Sequence, residues 1–307
     1  MKHRFRPSLL FLGIALLAGC EVAVAPEAPP PNTDIAERSA ASLQAEERYA
    51  RLQEDLLTRG LLRRDGGGPD TPFSRRDLVE NFVRIALFDE YDLRGGRPVA
   101  RETPSPLHRW ADPVRVSVQF GASVPTDQRT QDLNSVESYL ARLHRITGHD
   151  LSLATNRVNF HILFLNEDER APYAQTLREM APDLTEQHIQ TALRMDRGVL
   201  CQVVSFSSGD TPGEYNSAIV VIRGEHPDLL RLSCIHEEIA QGLGLPNDSP
   251  AARPSIFNDD EEFGLLTRHD ELLLQILYDS RLPVGINADE ARPIIEEIVA
   301  ELLGGEA

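Results

Sequence analysis

Ser233-Cys234-Ile235-His236-Glu237-Glu238-Ile239-Ala240-Gln241-Gly242-Leu243-Gly244-Leu245-Pro246-Asn247-Asp248 is a helical pattern that stops at glycine. The helix is predicted over His226–Leu243, and Gly242, Gly244 and Pro246 punctuate its end. Glu237 and Gln241 are four residues apart and share one helix face. Glu238 is next to Glu237, and the polar pair Asn247 and Asp248 follows the turn. Ionisable groups on a helix beside a glycine turn are candidates for chemistry, and the surrounding elements show what holds them.

Working outward, strands and helices interleave. Val114–Phe120 alternates apolar and polar residues, as a strand with one buried face does. Asn159–Leu165, Val199–Phe206 and Ala218–Ile222 are further strands. Helices are predicted over 71–87, 133–147, 169–180, 185–195, 267–278 and 289–303. The class is therefore mixed α/β (α+β). In the expected layout, 34–68 is a helical stalk, 70–282 the main domain and 283–307 a C-terminal helix. Within the stalk, Ala45, Tyr49, Leu52 and Leu56 form an apolar stripe that suits packing on the main domain; a partner helix is the alternative. Gly66-Gly67-Gly68-Pro69 reads as a hinge.

The N-terminus carries an address. Lys2, Arg4 and Arg6 precede a short apolar run, Leu9–Ala18, well below the roughly 20 residues a membrane span needs. Residues 1–19 therefore read as a signal peptide. The run closes on Leu17-Ala18-Gly19-Cys20, which resembles the lipobox of bacterial lipoproteins. That resemblance implies cleavage before Cys20 and lipidation of its thiol, with firm anchoring by several acyl chains. It implies the periplasmic side of a cell envelope, and Glu21 leans toward the outer membrane. Residues 20–33, rich in Pro and Ala, read as an extended tether.

The whole chain of 307 residues has a formal charge of −17. A nucleic-acid binder needs a basic face, so that class is excluded. The same charge is repelled by an anionic membrane, so the lipid has to do the holding. The chain has three cysteines. With Cys20 lipidated in an oxidising compartment, Cys201 and Cys234 are expected to form a disulfide. A thiol nucleophile or a metal ligand is the alternative. The sequence contains no Gly-x-Ser-x-Gly, no phosphate loop and no Gly-x-Gly-x-x-Gly.

The quoted stretch resembles the site helix of the zincin metalloproteases, in particular the metzincin pattern His-Glu-x-x-His-x-x-Gly-x-x-His. With Glu238 at the base position, Gly244 falls on the turn glycine. Glu237, Gln241 and Asn247 then occupy the three ligand positions, with Asp248 beside the last. Pro254–Asn258 stands where a metzincin has its methionine turn, with Ile256 or Phe257 as the floor. Thr267–Tyr278 is similar to the closing helix of the matrixin group, and Trp110 precedes the first strand. The resemblance covers Trp110 to Tyr278. The whole chain also resembles an uncharacterised bacterial family of periplasmic lipoproteins with a Cys-x-His-Glu-Glu helix and a Gly-Leu-Pro-Asn-Asp turn.

The departures from the protease pattern set the functional expectation. Zinc sites use Cys, His, Asp and Glu, and amides are poor ligands. A carboxylate with two amides implies a zincin-like domain that has lost its zinc, with no cofactor expected; zinc on Glu237, Gln241, Asn247 and Asp248 is the weak alternative. Gln241 and Asn247 are then expected to bond to Glu237 or Glu238. His236 reads as a surface or cap histidine, and Asn258–Glu262 as a solvated acidic loop. The expected function is peptide or envelope-protein binding, or a structural role, at the envelope. The alternatives are a metal-dependent hydrolase with Glu238 as general base, and a scaffold acting through the stalk.

Overall fold

The computed structural model describes residues 36–94, 97–182, 184–207, 211, 213–258 and 260–304. The expected signal peptide, Cys20 and the tether lie outside the described residues, as does Asp259 of the acidic loop. In chain order the elements are α1 (Ala40–Thr58), α2 (Arg75–Ala86), β1 (Phe88–Arg94), β2 (Arg97–Pro104), β3 (Arg109–Trp110), β4 (Val114–Phe120), α3 (Thr126–Thr147) and β5 (Leu151–Leu153). There follow β6 (Phe160–Leu165), α4 (Tyr173–Met180), α5 (Glu186–Leu193), β7 (Cys201–Ser207), β8 (Glu214–Arg223), α6 (Asp228–Gln241), α7 (Arg268–Leu277) and α8 (Ala288–Leu302).

The mixed α/β class stands. β5, β4, β6 and β8 lie side by side and parallel. β7 joins β8 antiparallel, with Cys201 opposite Ile222, and the short β3 pairs parallel with the start of β8. Every residue of β6 is buried, as a central parallel strand covered on both faces requires. Phe160, Ile162 and Phe164 join Val220 and Ile222 in the larger core, with side chains from α2, α3, α6, α7 and α8. Leu163, Leu165, Ile219 and Val221 face the other way, against α4 and α5. Because side chains alternate along a strand, Cys201 and Val203 of β7 lie on the α6 side, and Val204 and Phe206 on the α5 side.

Several elements differ from their sequence expectation. α3 begins at Thr126, a turn and more before the apolar stripe that predicted it, because its first turns are polar. The β1–β2 hairpin was not predicted: its charged residues lack apolar alternation. α8 shares the main core through Ala291, Ile295, Ile298 and Val299. α1, by contrast, behaves as its stripe suggested and packs Ala45 and Tyr49 on Leu230 of α6. The segment read as a hinge is docked on the domain. Leu62 N and Arg63 N donate to the carbonyls of Glu261 and Glu262, and Arg268 N donates to that of Gly66.

Candidate functional site

α6 leaves β8 through a short loop and lies across the sheet beside β7. A helix ends with unsatisfied carbonyls, and here two side chains from distant segments take them. Trp110 Nε1 donates to the Gly242 carbonyl at 2.8 Å, and Tyr278 Oη donates to that of Leu243 at 3.1 Å. The chain then turns at Gly244, whose φ of +127° is open only to glycine in practice. A Cβ there would come within 2.2 Å of the His108 carbonyl oxygen. The loop next meets α2: Asn247 N donates to the Ile85 carbonyl, and Asn247 Nδ2 to that of Arg84 at 2.9 Å. Asn247, expected to bond to Glu237 or Glu238, thus donates from both nitrogens to the end of α2.

Beyond the turn, the two residues expected to form a floor are buried. Ile256 is 5% exposed and Phe257 fully buried. Asp270, in the first turn of α7, holds that loop. It accepts from Ser255 Oγ, Ile256 N and Thr267 N. Thr267 Oγ1 donates to the Pro254 carbonyl. The acidic loop is tied as well, since Glu262 pairs with both Arg63 and Arg253.

The ionisable centre lies further back on α6. Glu237 is half-buried and Glu238 is 4% exposed, so the acids are not a solvated pair. Cys201 and Cys234 form the expected disulfide, which clamps the start of β7 to α6. Glu237 and Glu238 follow Cys234 by three and four residues, so they lie on its side of the helix. Their carboxylates and the Cys201 sulfur lie within 4.8 Å of one another. Among the described residues this is the one group of three Cys, His, Asp or Glu donors that close together.

This set differs from the one the sequence suggested. Gln241 Nε2 faces Asp248 Oδ1 at 3.5 Å, at the long end of hydrogen bonding. Asn247 is spent on the α2 carbonyl. Of the four weak candidates, Glu237 belongs to the group of three, Gln241 faces Asp248, and Asn247 bonds to the end of α2. In that group, the third donor is a disulfide sulfur, which is no thiolate and a poor zinc ligand. The oxidised site does not fit zinc.

The histidines His236, His161 and His226 are buried. His236 is 8% exposed, contrary to its expected place at the surface. Its Nδ1 accepts from Leu266 N at 3.0 Å, and its ring stacks on Tyr139 at 4.1 Å. Burial pushes its pKa down to about 3, with nearby Arg142 adding to the effect. His161, within β6, is held by burial at about 4. His226 is buried just before α6, with Nδ1 3.7 Å from Cys234 Sγ and its ring against Tyr49. Sequence reasoning missed Cys201 as a neighbour of the two acids. The signal was present: the expected Cys201–Cys234 bond plus helical spacing from Cys234 carries the Cys201 sulfur to Glu237 and Glu238.

A family model described as protein of unknown function (DUF2927) matches residues 75–297, which hold the whole site but not α1. No curated protein and no solved structure matches the chain.

Proposed function

The chain belongs to the DUF2927 family, and within it we propose a peptide- or protein-binding module held at the bacterial envelope by a lipid on Cys20. The observation that carries this reading is β7. Among the described residues it pairs with β8 alone, it is half-buried over most of its length, and it runs beside the site helix. An edge strand next to a helix is a template for an extended chain. Main-chain hydrogen bonds supply affinity, and alternate side chains supply selectivity.

Three features support a zincin-like domain that has lost its zinc. The site helix follows the last strand and ends at Gly244. The floor is apolar, at Ile256 and Phe257. Trp110 and Tyr278 close on the helix end. The Cys201 sulfur beside Glu237 and Glu238 is in a disulfide, which makes it a poor zinc donor. The alternative, a metal-dependent hydrolase with Glu238 as general base, rests on the proximity of Glu237 and Glu238 to Cys201. The test is an array of short unstructured peptides probed with the purified chain. Binding that persists in Glu238→Gln, with no cleavage by the wild type, supports the module. Cleavage abolished by Glu238→Gln overturns it.

A further inference from the structure

We propose that reducing the Cys201–Cys234 bond opens a metal site made of Cys201, Glu237 and Glu238, so that the disulfide gates a zinc-class divalent cation. This inference is independent of the peptide-binding reading, since it concerns donors on the α6 face of β7 and requires no peptide.

The geometry begins from the three donors. Zinc–sulfur bonds are about 2.3 Å and zinc–oxygen bonds about 2.0–2.2 Å, so tetrahedral ligands stand about 3.5 Å apart. A sulfur and two carboxylates within 4.8 Å of one another need only a side-chain adjustment to close on one ion. In the disulfide, the Cys201 sulfur lacks the anionic charge that makes a strong ligand. Once freed it adds a soft, anionic donor to two hard ones, a mixture that suits zinc better than calcium or magnesium. Cys201 and Glu237 are half-buried, which leaves the ion a path in, while Glu238 is buried and fixed on the helix.

A second observation concerns the other sulfur. Cys234 is 2% exposed, and the buried His226 aims Nδ1 at it from 3.7 Å. Burial, with Arg223 and Arg231 nearby, keeps that imidazole neutral. A neutral Nδ1 accepts a hydrogen bond from the Cys234 thiol once it is released. The two sulfurs therefore divide: Cys234 is held by His226 toward the start of α6, and Cys201 faces the two acids.

The exchange balances with a dithiol as reductant. One thiolate of the dithiol attacks the more exposed sulfur, Cys201. The Cys201–Cys234 bond breaks, and Cys234 leaves as a thiolate that takes up a proton. The second thiol of the dithiol attacks the mixed disulfide and releases Cys201. Two electrons pass to the protein, and the dithiol becomes a disulfide. Metal binding then displaces the proton from Cys201.

The test is equilibrium dialysis of the full chain against zinc chloride, oxidised and after treatment with tris(2-carboxyethyl)phosphine, with circular dichroism on each sample. Reduced protein is expected to hold about one zinc per chain and oxidised protein none. Cys234→Ser, which frees Cys201 without any reductant, is expected to bind zinc as the reduced wild type does. Cys201→Ser is expected not to bind, and Glu237→Gln to weaken binding at least about tenfold. Equal zinc in both redox states overturns the proposal. So does a folded Cys234→Ser variant that binds none. Loss of the fold in both the reduced wild type and Cys234→Ser also overturns it, because the site requires the cluster to stay assembled without the bond.

Discussion

His236 shows how a residue that reads as chemistry serves packing instead. Its ring is stacked on Tyr139, and Nδ1 is committed to Leu266 N. The proton therefore sits on Nε2, and the neutral form is the folded form. Its pKa is depressed from 6.5 to about 3, so between those values the unfolded chain binds more protons than the folded one. Stability is complete above the unfolded value and falls as pH drops through it. Between about pH 7.5 and about pH 5, His236 alone costs about 2 kcal/mol by linkage. Asp132 and Glu225, whose pKa values burial raises, act in the opposite direction. Urea unfolding at both pH values isolates the histidine: His236→Gln should lose about 2 kcal/mol less than the wild type over that interval. Equal losses in the two proteins would mean that His236 is not held neutral. From one sequence, burial of this histidine was hard to read, because its ring is covered by α3 and by the segment leading to α7.

At the scale of elements, the strands and helices that form the sheet core were largely legible. Apolar alternation located β4, and a continuous apolar run located β6, since both patterns follow directly from burial. The helix stop at Gly244 and the burial of Ile256 and Phe257 were legible too, because few residue types meet those backbone and packing demands. The β1–β2 hairpin was not, since its charge-rich sequence shows no sustained apolar alternation. That α1 packs on the domain was legible in its apolar stripe, but the place where it docks was not. That helix is attached through Ala45 and Tyr49 against Leu230, through Ser42 Oγ donating to Glu225 at 2.8 Å, and through the Tyr49 ring against His226. Its contacts lie on the β8–α6 loop and the start of α6, which no local pattern reveals. The prediction at this scale is that Tyr49→Ala frees α1 without unfolding the rest. Limited proteolysis should then cut within residues 40–58 far faster than in the wild type, while the thermal transition of the remaining domain persists. Global unfolding of the variant, or unchanged protection of α1, would show that α1 is not a separable layer.

At the scale of the whole molecule, the account joins an N-terminal anchor to a domain that binds with an edge strand. The anchor rests on the sequence alone, and its test is direct. Cys20→Ser should move the protein from the membrane fraction to the soluble periplasmic fraction, and the mass of the wild-type N-terminus should include acyl chains. A wild-type protein that fractionates as soluble would remove the anchor from the account. The acidic charge of the chain agrees with lipid holding rather than electrostatic adhesion. The site was the least legible part at this scale. Order and spacing in the sequence pointed to α6, yet the donors that meet there come from α6 and from β7, and the meeting depends on a disulfide between them.

The central claim is that an extended peptide adds to β7, which among the described residues pairs with β8 alone. The most direct measurement is hydrogen exchange of the full chain with and without a peptide selected from the array. The account predicts slowed exchange of backbone amides within residues 201–207, with α8 unchanged as an internal control. Protection that falls elsewhere and leaves 201–207 unaltered would contradict it.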